Sequence, residues 1–250
     1  MSEKKNQLHQ LLAVENDRKQ LANNIMQETI TTFLKKQDHF DGITKKYESY
    51  DEADQKIPPE LKEIVDTVKS KIDYSKVAIS KGIDAQISKE ETNASGTVKA
   101  ELKVGSISFG DLSATSLLAL EQYLVKLRTM YKSIPTLDPS KKWNKKDNIY
   151  ETDNEVKYRT EKKVKPIVKY EATKEHPAQV DLISVDTQVG EYHTIYKSGK
   201  ITPYDKSVLL SRIDDLINAV KKTRAKANES EVKQIKIGEK IFNFINSDIL

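Results

Sequence analysis

The sequence predicts an α+β protein, with long amphipathic helices packed on a small, mostly antiparallel β-sheet. Three observations carry that expectation. Apolar residues recur three or four apart over residues 5–36, 114–134 and 203–220, which gathers them on one helical face. Between these stretches lie runs of period two, such as Val98, Ala100, Leu102 and Val104 set against Lys99, Glu101 and Lys103, the pattern of a half-buried strand. The chain has 250 residues, 37% hydrophobic and 32% charged, long enough to bury a core without covalent staples and polar enough to keep that core thin.

The elements follow in order. Residues 5–36 place Leu8, Leu11, Leu21, Ile25, Ile30 and Phe33 on one stripe, and the run KKQDHFDG ends that helix with lysines suited to its negative end. Residues 38–57 are polar and aromatic and read as a loop. IPPELKEIVDTVKSKI predicts a second helix opening at Pro58 and Pro59, where proline is tolerated, and running to about Ser88. A hairpin over 98–109 is expected to break at Gly110 and Asp111, with Ser113 capping a third helix whose Leu117, Leu120, Tyr123, Leu124, Leu127 and Met130 form the strongest apolar stripe. Residues 134–148, with two prolines and the only tryptophan, read as a linker. EVKYRTEKKVKPIVKY follows as one or two exposed strands, with Pro166 confining it to an edge or a bulge. AQVDLISVDTQVGEYHTIYKSGKI divides at Gly190 into two strands, and Thr202, Pro203 and Asp205 open a helix as cap, first residue and capping-box carboxylate. KIGEKIFNFINSDIL is apolar enough to dock as a short helix.

Composition narrows the function. The absence of cysteine removes disulfides, thiolate metal sites and cysteine nucleophiles, and fits a reducing cytoplasm. No run approaches the roughly 20 apolar residues that span a bilayer, so no membrane partner is expected. Net charge is +4, carried by lysine with only five arginines, which disfavours bidentate base reading. The chain holds no GxGxxG, GxxxxGK, GxSxG or HExxH motif and no EF-hand loop, so no cofactor or metal is expected and no catalytic residue is assigned.

Two constellations remain. From Lys132 to Lys169 there are eleven basic residues against six acidic ones. In that tract Lys141, Lys142, Lys145, Lys146, Lys157, Arg159, Lys162, Lys163 and Lys165 could neutralise phosphates while Trp143 and Tyr158 stack on unpaired bases. The bland counterpart is that lysines on edge strands prevent aggregation and that Trp143 anchors a core. The second constellation is YEATKEHPAQV, where Glu175 and His176 crowd beside Pro177 and could recruit His193 with Asp181, Asp186 or Glu191 as a catalytic or metal cluster. The seventeen residues from His176 to His193 match no helical or zinc-finger spacing, and Pro177 suits a turn into the next strand, so a turn is the preferred reading.

At RTEKKVKPIVKYEATKEHPAQV, KSGKITP and AVKKTRAKANE the chain resembles an uncharacterised bacterial and bacteriophage family, described only as a domain of unknown function. The similarity extends upstream through LLAVE, IPPE and LEQYLVKLRT. It implies no activity, cofactor or catalytic residue, and it implies that residues 1–250 form one compact unit, which weighs against the sub-boundary near 135–148 that composition suggests; within that unit the elements above give a helical section 1–90 and an α+β section 91–250. The expected function is a non-catalytic cytoplasmic binding or assembly protein, a homo-oligomer that self-associates through its helices. The alternatives are an accessory protein for RNA or single-stranded nucleic acid using residues 141–170, and an enzyme or small-ligand binder centred on Glu175, His176 and His193.

Overall fold

A computed structural model describes residues 8–51, 57–172, 176–229 and 237–241. The first helix, α1, spans Leu8–Lys35, and a short 3-10 turn, Gln37–Phe40, leads directly into strand β1, Asp41–Ser49. Residues 41–49 of the segment expected to be a loop are therefore strand. Its weak alternation hid it, because β1 is held by backbone pairing along its whole length rather than by an apolar face.

β2, Glu60–Lys62, pairs with β1 where the second helix was expected to begin, and α2 occupies Val68–Asn93. The delay has a local cause. The backbone N–H groups of Val65 and Asp66 both donate to His39 O, at 2.9 and 3.1 Å, which holds the chain extended. Thr67 then caps α2, its hydroxyl accepting from Ser70 N at 3.1 Å while Ser70 Oγ accepts from Thr67 N at 3.1 Å, a reciprocal pair that satisfies two free donors.

β3, Lys99–Val104, and β4, Ile107–Ser113, form the expected hairpin, with β4 running through Gly110 rather than breaking there. Ser113 caps α3, Ala114–Lys132, as its sequence predicts. β5, Trp143–Lys146, and β6, Ile149–Thr152, lie within and just beyond the segment read as a linker, and join the main sheet. β7, Glu155–Tyr170, is followed by β8, Gln179–Ser198, which is one continuous strand and does not divide at Gly190. Last comes α4, Pro203–Ala227, where Thr202 Oγ1 accepts from Asp205 N at 3.0 Å with Pro203 in the first turn, as expected. Of the C-terminal segment expected to dock as a helix, only residues 237–241 are described, with Ile237 and Ile241 both exposed; the remainder lies outside the described residues.

The protein is an α+β fold. All pairings between the named strands are antiparallel, in the order β2-β1-β8-β6-β5 with β7 also beside β8, and β3-β4 forms a separate two-stranded sheet. Leu102, Leu117, Leu124, Ile217 and Val220 seat the β3-β4 hairpin on α3 and α4. Met26, Ile79, Tyr123 and Met130 join α1, α2 and α3. At Gly82 a Cβ would stand 2.6 Å from that of Ala22, so the close approach of α1 and α2 requires glycine there. Phe33, Phe40, Val68 and Ile134 form a third cluster that joins α1, the start of α2 and the end of α3 to the 3-10 turn leading into β1, with the Phe33 and Phe40 rings 5.7 Å apart. No helix among the described residues is long and apolar enough to cross a membrane.

Candidate functional site

β8 organises the sheet and then leaves it. Its C-terminal half pairs with β1 from Ser198 back to Gly190, and on its other side with β6 and then β7. β1 ends at Ser49, opposite Gly190, so beyond that point β8 keeps β7 as its sole strand partner among the described residues. Residues 160–170 and 179–188 thus form a two-stranded arm that extends about 33 Å from the sheet at ordinary strand rise. A bulge between Arg159 and Thr160 marks its root.

The register sorts the arm into two faces. Lys162 stands opposite Asp186, Val164 opposite Ser184, Pro166 opposite Leu182 and Val168 opposite Val180, so beyond a single charged pair at its base one face is apolar but for Ser184. Leu182 is 72% exposed and Val164 61%, values that place this stripe in open solvent. The other face mixes Lys163, Lys165 and Ile167 with Val185, Ile183 and Asp181. Pro166 lies on β7, the outer strand of the arm, as its missing N–H requires.

The basic tract is split between two places. Lys141 is paired with Glu155 at 3.1 Å and stacks over Tyr196 at 3.3 Å, Lys142 lies 3.4 Å from Asp153, and Lys146 lies 2.5 Å from Glu151. Arg159 meets Glu161 at 2.7 Å with its guanidinium 5.5 Å from the Tyr47 ring. Trp143 is half-buried, its indole N–H donating to Asp138 O at 2.8 Å, which is neither a deep core anchor nor a bare stacking platform. Lys145, Lys157, Lys162, Lys163, Lys165 and Tyr158 are exposed. On the described arm, Lys162, Lys163, Lys165 and Lys169 face Glu161, Asp181 and Asp186, four bases against three acids, so its net charge is close to zero. A polyanion would find little long-range attraction there.

Of the EHP constellation, Glu175 lies with residues 173 and 174 outside the described residues, while His176 is exposed and stands three residues before β8 begins at the far end of the arm. His193 lies in the body of the sheet, fourteen residues beyond Gln179 on the same strand, about 45 Å from the arm tip. His176 and His193 are therefore not brought together within the chain, because strand β8 is unbroken and its length separates them.

His193 instead meets a residue that the sequence hid. Its Nε2 lies 3.5 Å from Glu48 Oε2 and 3.4 Å from Glu191 Oε1, and its Nδ1 lies 2.8 Å from the Asn154 side-chain amide. Glu48 went unrecognised because it sits in the segment read as a loop, whereas Glu191 was already legible as a neighbour of His193. Tyr50 donates to Glu191 Oε2 at 3.5 Å, and partial desolvation together with the Glu191 charge pushes its hydroxyl above the ordinary tyrosine range, so it stays a donor at neutral pH.

These features define an α+β protein in which packed helices carry the β3-β4 hairpin and a separate antiparallel sheet extends into a two-stranded arm. Residues 5–248 match the model of the DUF7873 family, a family of unknown function, and the chain belongs to that family. The match covers nearly the whole chain, as the resemblance read in the sequence does. No curated protein and no solved structure matches it.

Proposed function

We propose that the protein is a non-catalytic cytoplasmic assembly protein that self-associates, and that the arm formed by β7 and β8, rather than the helices, makes the contact. The observation that carries this reading is the bare apolar face of Val164, Pro166, Val168, Val180 and Leu182. A two-stranded ribbon is marginal in water without a third layer. Those side chains and Tyr170 offer on the order of 500 Å² of apolar surface per arm, so two arms laid face to face bury about 1,000 Å², the lower bound of a specific interface. A second copy suits the face because its charges, Lys162 and Asp186, sit together at the base and leave the centre free of like-charge encounters in a two-fold arrangement. Addition at the edge of β7 is opposed by its lysines and Pro166. A groove of about 340 Å³ between α1 and α2, lined by Leu21, Ile25, Tyr74 and Val77, is the competing helical surface.

Sedimentation velocity over a range of concentrations tests the reading. Wild type is expected as a dimer. Leu182→Lys removes about 2 kcal/mol per copy at a central contact, which over two symmetric positions raises the dissociation constant about a thousandfold. A wild-type monomer at all concentrations, or a Leu182→Lys dimer as tight as wild type, overturns the proposal. A nucleic acid retained through purification and released by salt would favour the basic tract instead.

A further inference from the structure

At the root of the arm, a different cluster carries a conclusion independent of self-association. Glu48 on β1 and Glu191 on β8 are direct cross-strand partners, a placement in which like charges oppose pairing. Among the described residues, the one basic side chain within ion-pair reach of either carboxylate is His193. Its Nε2 atom is buried and makes no hydrogen bond, although it faces both carboxylates at 3.4 and 3.5 Å. A neutral imidazole with no partner at a buried nitrogen is costly, and so are two carboxylates side by side. One cation resolves both.

The separations fit such an ion. Donor atoms held at about 2.0–2.1 Å around a tetrahedral centre stand about 3.4 Å from one another. One donor atom from each of Glu48, Glu191 and His193 lies within 4.8 Å of the others. The second nitrogen is also provided for. Asn154 lies 2.8 Å from Nδ1, and with its amide oxygen turned to the ring, an end-for-end exchange of the amide, it accepts the Nδ1–H and leaves the Nε2 lone pair facing the carboxylates.

We propose that Glu48, Glu191 and His193 bind a divalent transition-metal ion, with zinc the best match to an imidazole and two carboxylates, and with water completing the coordination. Thiolate competition is absent because the chain has no cysteine. The ion ties the last residues of β1 to β8 one position from Gly190, where the arm departs, so it fixes the root of the arm. Its role is structural.

Isothermal titration of the full chain with zinc chloride, after removal of metal with a chelator, tests the site. Wild type is expected to bind one zinc, and zinc is expected to raise its thermal midpoint. Glu191→Gln, His193→Gln and Glu48→Gln each weaken binding at least tenfold and abolish the midpoint shift, whereas His176→Ala, at the tip of the arm, binds as wild type does. Glu48 is exposed, so Glu48→Gln keeps the fold should the His193 variant fail to fold. Absence of zinc binding in wild type overturns the proposal. Undiminished binding in Glu48→Gln and Glu191→Gln overturns it equally.

Discussion

Replacing Gly190 by alanine separates what this structure says from what composition alone says. A glycine in strand-like backbone normally gains about 0.5–1 kcal/mol on becoming alanine, because the unfolded chain loses freedom. Here the sign reverses. A Cβ at residue 190 would stand 2.5 Å from Glu48 O and 2.6 Å from Tyr47 Cζ, and would also strike the Tyr47 hydroxyl. The carbonyl belongs to the β1 ladder and cannot move without loosening pairing to β8. The Tyr47 ring can swing, but it then gives up a 3.3 Å hydrogen bond to Val189 O, its 5.0 Å contact with Tyr192 and the guanidinium of Arg159. Overpacking costs about 1–3 kcal/mol, the hydrogen bond about 1 and the aromatic pair about 1, which after the alanine gain leaves a net loss of about 2–4 kcal/mol. Urea unfolding followed by circular dichroism measures it as a lowered midpoint. In a Tyr47→Ala background the same substitution should cost about 1–2 kcal/mol less, since only the carbonyl remains in the way. A Gly190→Ala protein as stable as wild type, or more so, refutes the close crossing of Tyr47 over β8.

Leu117, fully buried beneath the β3-β4 hairpin, should lose about 2–5 kcal/mol of unfolding free energy as Leu117→Ala, read by thermal or urea denaturation; a loss below about 1 kcal/mol would mean that the hairpin is not seated on α3. Glu91 predicts acid sensitivity: burial opposes its charge, but Lys99 at 2.7 Å and hydrogen bonds from Ser116 and Ser113 outweigh that and hold its carboxyl at about 2, below the ordinary 4.5. A folded value below the unfolded one gives stability that is complete above about pH 4.5 and lost as pH falls towards 2. The full shift is worth about 3 kcal/mol, reduced to about 1–2 by solvent around the half-exposed Lys99. Unfolding free energy of Glu91→Gln should therefore converge on that of wild type as pH falls through this window, and a constant difference would remove the assignment.

The parts of the fold that were legible in the sequence are those where one side chain pattern has one structural meaning. Leu117, Tyr123, Leu124 and Met130 on α3 recur at helical spacing because one face is buried, and Thr202-Pro203 with Asp205 starts α4 because those residue types solve the problem of free N–H groups. β1 was illegible because its stability comes from backbone pairing to β8, which leaves no mark on side chain type. Gly190 misled for a related reason: glycine marks a turn and a close crossing equally well, and only the position of Tyr47, 143 residues earlier, decides between them. The same ambiguity governs the candidate sites. Period two in β7 and β8 predicts strands, but an apolar stripe such as Val164, Val168 and Leu182 looks the same whether a helix covers it or nothing does. Burial is a property of the partner, so the arm becomes visible as an arm only when the end of β1 at Ser49 shows that the sheet stops short of it. Glu48 and His193 likewise meet through the register of two strands, and register is fixed by the whole sheet rather than by any stretch of sequence that contains either residue.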